Sequence, residues 1–221
     1  MMPERSKLRS LYNLTSNITQ TIAHDKNATQ EICNKWNMPT HLLSANFETE
    51  GYKAYRFEEK EKIIVISPDS CIYKKQILKK LKKEFPDYQF ITVFKMKFEN
   101  YMDLISRAYF SITFGEGFDG YFLMPPIVKS LGFAVYNDHF FPDRSWKSIK
   151  TVYSSYQEMF DKIVNDIKSL SSNKEEYIKT YELIKKKHDK LYSTNKFRDN
   201  LERFYKQQYD LLPTNLQGEN H

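Results

Sequence analysis

The chain changes character near residue 61. Lys62–Ile66 is an unbroken apolar run, the pattern of a strand buried on both faces of a parallel sheet. Ser67–Ser70 carries turn chemistry, and Lys74–Glu84 then places Ile77, Leu78 and Leu81 on one helical face with lysines outside. The alternation continues. Phe90–Phe94 predicts a second strand, and Tyr101–Ala108 a second helix with Met102, Leu104, Ile105 and Ala108 apolar. Phe110–Phe114 predicts a third strand and Phe133–Tyr136 a fourth. Between them, Tyr121–Ser130 reads as a helix that starts late or is kinked at Pro125-Pro126. Val152–Leu170, Glu175–Tyr192 and Lys196–Tyr209 read as amphipathic helical runs. Strands alternating with helices predict an α/β fold, a Rossmann-like parallel sheet with helices on both faces and helices at the C-terminal end.

Before this region the pattern is thinner. Ile18–Ala23 predicts a short strand, Asn27–Trp36 a helix capped by Asn27 and stopped by Pro39, and His41–Leu43 a further apolar run. This fragment is too small to bury a core by itself. Residues 48–61 are charged, lack periodicity and read as a connecting loop. The expected organisation is therefore a fragment and linker over 1–57, a sheet domain over 58–170, and C-terminal helices over 171–221.

Composition narrows the function. At 221 residues the chain has room for one large domain, or one domain and part of a second. The net charge of +6 raises nucleic acid or anionic lipid as partners. Acidic residues are interleaved with the lysines, however, which is the pattern of a mixed solvated surface. No nucleic-acid partner is expected, and at most peripheral contact with a membrane. The N-terminal stretch is charged rather than apolar, and no window has the roughly 18 apolar residues of a membrane span. Two widely separated cysteines, Cys33 and Cys71, match no metal spacing. A cytoplasmic location follows as the expectation. The histidines at 24, 41, 139 and 188 are scattered without ligand spacing, so no metal is expected.

Ligands of open α/β sheets bind beyond the carboxyl ends of the strands. The loops there are Ser67–Lys74, Lys95–Asn100 and Gly115–Gly120. The last holds three of the chain's 6 glycines. Glycines let the main chain approach a ligand and expose its N–H groups, and a following helix favours an anion. Glu116 stands at that strand tip, placed to accept hydrogen bonds from sugar hydroxyls. The competing reading is a tight turn with a solvated acid. In the first loop Ser67 offers a hydroxyl, and Lys74 a charge able to meet a diphosphate. Neither a Walker-type phosphate loop nor the dinucleotide fingerprint is present.

The segments Lys62–Asp69, Phe85–Ile91, Ile112–Phe122, Phe133–Asn137 and Phe140–Pro142 resemble the C-terminal, donor-binding domain of bacterial GT-B glycosyltransferases. The likeness is to the retaining class with a Glu-x7-Glu motif, and it covers roughly residues 58–170. It implies half of a GT-B fold that binds a nucleotide-diphosphate sugar, a UDP-sugar first, without a metal or other cofactor. By the resemblance Glu116 matches the first Glu of the motif and contacts the donor sugar as the catalytic residue. Gly115, Gly117, Phe118, Asp119 and Gly120 would cradle sugar and diphosphate, Lys74 would pair with the diphosphate, and Phe94, Lys95 and Met96 would flank the base. Met124 stands where the second Glu holds the ribose, and a methionine cannot accept those hydrogen bonds. The likeness also implies that most of the N-terminal, acceptor-binding half is missing, residues 16–47 matching only its last strand–helix–strand. A partner subunit or self-association would complete the cleft. The alternatives are a non-catalytic interaction or regulatory relative, or a truncated inactive product.

Overall fold

The computed structural model describes residues 10–15, 17–44, 46 and 51–214. The chain forms two compact units, one over Glu48–Leu191 and one that joins Met1–Phe47 to Tyr192–His221. The sheet unit thus extends to residue 191 rather than 170, and the last helix belongs with the N-terminal fragment.

In the smaller unit, β1 (Gln20–Ile22) and β2 (Thr40–Leu42) pair in parallel, connected through helix α1 (Gln30–Trp36). Thr29, not Asn27, caps α1, its Oγ1 accepting from Ile32 N at 3.3 Å. Asn27 instead closes a 3-10 turn with Asp25 and Lys26. The helix ends on left-handed Asn37, before Pro39 is reached. The end of the chain supplies what this fragment lacks. Leu211 exchanges hydrogen bonds with Thr40 at 2.9 and 3.0 Å. Buried His41 sits between Asp210, 2.9 Å from Nδ1, and the carbonyl of Asn200, 2.7 Å from Nε2.

The larger unit is α/β and Rossmann-like. Its strands are β3 (Glu61–Ile66), β4 (Gln89–Thr92), β5 (Ala108–Ile112), β6 (Leu131–Val135) and β7 (Val152–Tyr153), all parallel, in the order β4-β3-β5-β6-β7. Ile63–Ile66 are fully buried, as the unbroken apolar run requires. The helices are α2 (Lys74–Glu84), α3 (Phe98–Arg107), the single-turn α4 (Gly120–Leu123), α5 (Tyr156–Ser172) and α6 (Lys174–Leu191). Helices α2 and α5 pack together; α3, α4 and α6 gather around a 3-10 turn, Pro125–Val128. The remaining helix, α7 (Thr194–Tyr205), lies in the smaller unit and stops short of Tyr209.

Part of the stretch read as a connecting loop is structured. Phe57–Glu59 forms a 3-10 turn, and the Phe57 ring packs 5.3 Å from Tyr109 and 5.1 Å from Tyr177. Residues 48–50 of that stretch lie outside the described residues.

Candidate functional site

Strand order decides where a crevice opens. β3 leads to β4 on one side, whereas the next strand, β5, pairs on the other side of β3. The two connections leave β3 and β5 in opposite directions, which makes the gap beyond their carboxyl ends the topological switch point. Ser67 closes the floor of this gap. It is fully buried, its N–H donates to Ile112 O at 3.0 Å, and its Oγ accepts from Phe114 N at 2.9 Å. Its hydroxyl holds the two strand ends together instead of facing a ligand.

Lys74 opens α2 at the rim. Its Nζ donates to the carbonyls of Ser67 at 2.7 Å and Asp69 at 2.6 Å, and lies 5.4 Å from the centre of the Phe114 ring. Desolvation holds its pKa below the ordinary lysine value, against the pull of Asp69 and Cys71. The charge expected to meet a diphosphate is therefore engaged by the main chain of the first loop.

The loop after β5 is held from within. Thr113 Oγ1 donates to Asp119 Oδ2 at 2.5 Å and accepts from Gly115 N at 3.3 Å. Asp119 Oδ1 accepts from Tyr121 N at 2.8 Å and Phe122 N at 3.3 Å, capping α4. Burial raises the Asp119 pKa above the usual carboxylate value, with Thr113 opposing. Asp119 is thus an N-cap, not an open ligand group. The Gly120 carbonyl accepts from Tyr101 OH at 2.9 Å.

The glycines divide by function. Gly117 has φ +82°, and a Cβ there would sit 2.2 Å from Val135 O, so its freedom serves close packing on β6. Gly115 is exposed at the crevice, and a Cβ there would meet only the Asp69 carboxyl, 2.8 Å away. Phe118 turns inward, its ring 5.0 Å from Phe141 and 5.0 Å from Trp146. Met124 is 1% exposed. Both are core residues and neither reaches a ligand from this position. Phe94 is 72% exposed, with left-handed Lys95 holding its Nζ 5.3 Å from the ring and Met96 half-buried beside them.

A cavity of about 330 Å³ opens beside Gly115. Val135, Tyr136, Asn137, Asp138, His139 and Tyr156 complete its lining. Glu116 is exposed and does not line it. Of these residues the sequence pattern points to Gly115 but not to 137–139 or Tyr156. The signal was present: the loop after the fourth strand also lies at a carboxyl end. Tyr156 was hidden inside a stretch read wholly as helix. Among the described residues, no three His, Cys, Asp or Glu side chains group so as to hold a metal ion, and no helix is long and apolar enough to cross a membrane.

Comparison with known protein families and with curated proteins finds no match to this chain.

Proposed function

We propose that the sheet unit binds a nucleotide-diphosphate sugar and serves as the donor domain of a glycosyltransferase, acting in the cytoplasm on a glycan acceptor. One observation carries the reading: an exposed glycine at the switch point of a doubly wound sheet, with a cavity directly beside it. With the N–H groups of Phe114 and Gly115 already given to Ser67 and Thr113, a ligand here would meet the main chain at Glu116 and the N-terminal end of α2. Both offer positive dipole to the nucleoside diphosphate as it departs. Glu116, exposed on the same loop, is the group that would reach the sugar once the donor is seated. An acceptor-binding partner, or a second copy of the chain, would close the crevice. A UDP-sugar is the first donor to try, and no cofactor enters the proposed reaction.

A second reading has its own support. Lys74 is held by two carbonyls, and buried Met124 offers the ribose nothing. These features favour a non-catalytic relative that binds a ligand or a partner without transferring sugar.

Calorimetric titration with UDP, GDP and their sugar conjugates tests the proposal. Saturable binding is expected, and Gly115→Val should abolish it without lowering the unfolding midpoint, because the Asp69 side chain can yield to the new methyl groups. Lack of binding at millimolar nucleotide contradicts the donor reading. Binding without sugar release, when acceptor extract is supplied, selects the second.

A further inference from the structure

The cavity beside Gly115 has a chemistry of its own. Its volume of about 330 Å³ lies at the low end of small-molecule pockets, room for one ring rather than a whole nucleotide sugar. Its lining contains no lysine or arginine and carries the Asp138 carboxylate. The lining thus offers a phosphate no lysine or arginine, whereas an uncharged, hydroxyl-rich ring would find hydrogen-bonding groups.

Those groups are held in place. Tyr136 OH donates to Asp138 Oδ1 at 3.0 Å and so orients the carboxylate. His139 N donates to Asn137 Oδ1 at 2.9 Å, which turns the Asn137 amide into a net donor. Tyr156 is nearly parallel to two neighbouring rings, Phe114 at 6.3 Å and 8° and Tyr73 at 6.1 Å and 12°. Burial raises the pKa of its phenol, and so does its hydrogen bond with the Cys71 side chain, which leaves the ring edge as what Tyr156 turns to the cavity. Carboxylate acceptor, amide donor and aromatic edge together match the alternating hydroxyls and apolar face of a sugar.

We propose that this cavity is a monosaccharide subsite in which Asn137, Asp138 and Tyr156 select the sugar. The inference rests on the donor reading and adds the loop after β6 to Glu116 in recognising the sugar.

Calorimetry on the full chain with UDP, and with UDP conjugates of a hexose and an N-acetylhexosamine, provides the test. Asp138→Ala and Asn137→Ala, both at solvent-accessible positions, should weaken the sugar conjugate by about 10-fold or more and leave UDP affinity unchanged. Equal losses for UDP and its conjugates, or no loss for either, would overturn the subsite while leaving the donor reading intact. Should no nucleotide bind at all, the donor reading fails. Free hexose and N-acetylhexosamine are then titrated. Binding that Asp138→Ala removes sustains the subsite, and absence of binding overturns it.

Discussion

Gly117 and Gly115 are two residues apart, yet an added methyl group has a different consequence at each. At 117 the main chain is left-handed and the Cβ would collide with the carbonyl of Val135, a backbone atom that cannot yield alone. Gly117→Ala should destabilise the unit by about 2–4 kcal/mol, read by urea denaturation. At 115 the neighbour is the far end of the Asp69 side chain, which can rotate. Gly115→Ala in the same experiment should stay within about 0.5 kcal/mol of the parent, the usual range at exposed sites. The sequence shows three glycines in one short loop and cannot separate them. What separates them is the path of the β6 carbonyls, a non-local fact. The same holds for Asp119. Its place ahead of a helix was visible in sequence, but its part as cap and as partner of Thr113 emerges only when the loop folds back on itself.

Elements with a strong local signal are found where the pattern puts them. α2 spans the predicted Lys74–Glu84, and β3 differs from prediction by a single residue. Elements fixed by distant partners are not. Val152–Tyr153 was read as the start of a helix, yet it pairs with Ala134–Val135 as edge strand β7, and the helix begins only after Ser155 caps it. The signal for that boundary was the Ser155-x-x-Glu158 spacing, with Ser155 Oγ accepting from Glu158 N and Glu158 Oε2 from Ser154 N. Pro125-Pro126 splits the expected helix into one α turn and a 3-10 turn, since neither proline has an N–H to donate.

Lys60 is the tie between elements that the periodicity missed. Its Nζ is buried and donates to Ser106 O at 2.7 Å in α3 and to Val128 O at 3.1 Å, ending the 3-10 turn. Burial, with a smaller push from Lys129, lowers its pKa to about 7. In the unfolded chain the value returns to about 10.4, so between those limits the unfolded state holds more protons. Stability should therefore rise as pH increases from about 7 to about 10, and this contribution is lost as pH falls through about 7. The neutral amine still has two N–H groups for the two carbonyls. Lys60→Met should flatten that rise, checked by denaturation at about pH 7 and about pH 10.

At the scale of the molecule, the lysines behind the net charge of +6 are interleaved with acids along the chain. Surface lysines are matched with acids across the sheet unit, as in Lys62–Asp87, Lys168–Glu84, Lys150–Glu176 and Lys185–Asp189. Such exposed pairs add little stability, but they dilute any single-sign field that could hold a polyanion. Apolar side chains are uncovered instead: Ile72 is 90% and Phe94 72% exposed, both in loops beyond the carboxyl ends of the sheet. They stand at the same end of the sheet as the cavity beside Gly115. The most direct test of the donor reading is to map UDP-glucose onto the chain by amide chemical shifts. Shifts should concentrate at 113–119 and 137–139, on the carboxyl side of β5 and β6. Shifts confined to the opposite end of the sheet, around Lys60 and Lys129, or none at millimolar ligand, would contradict it.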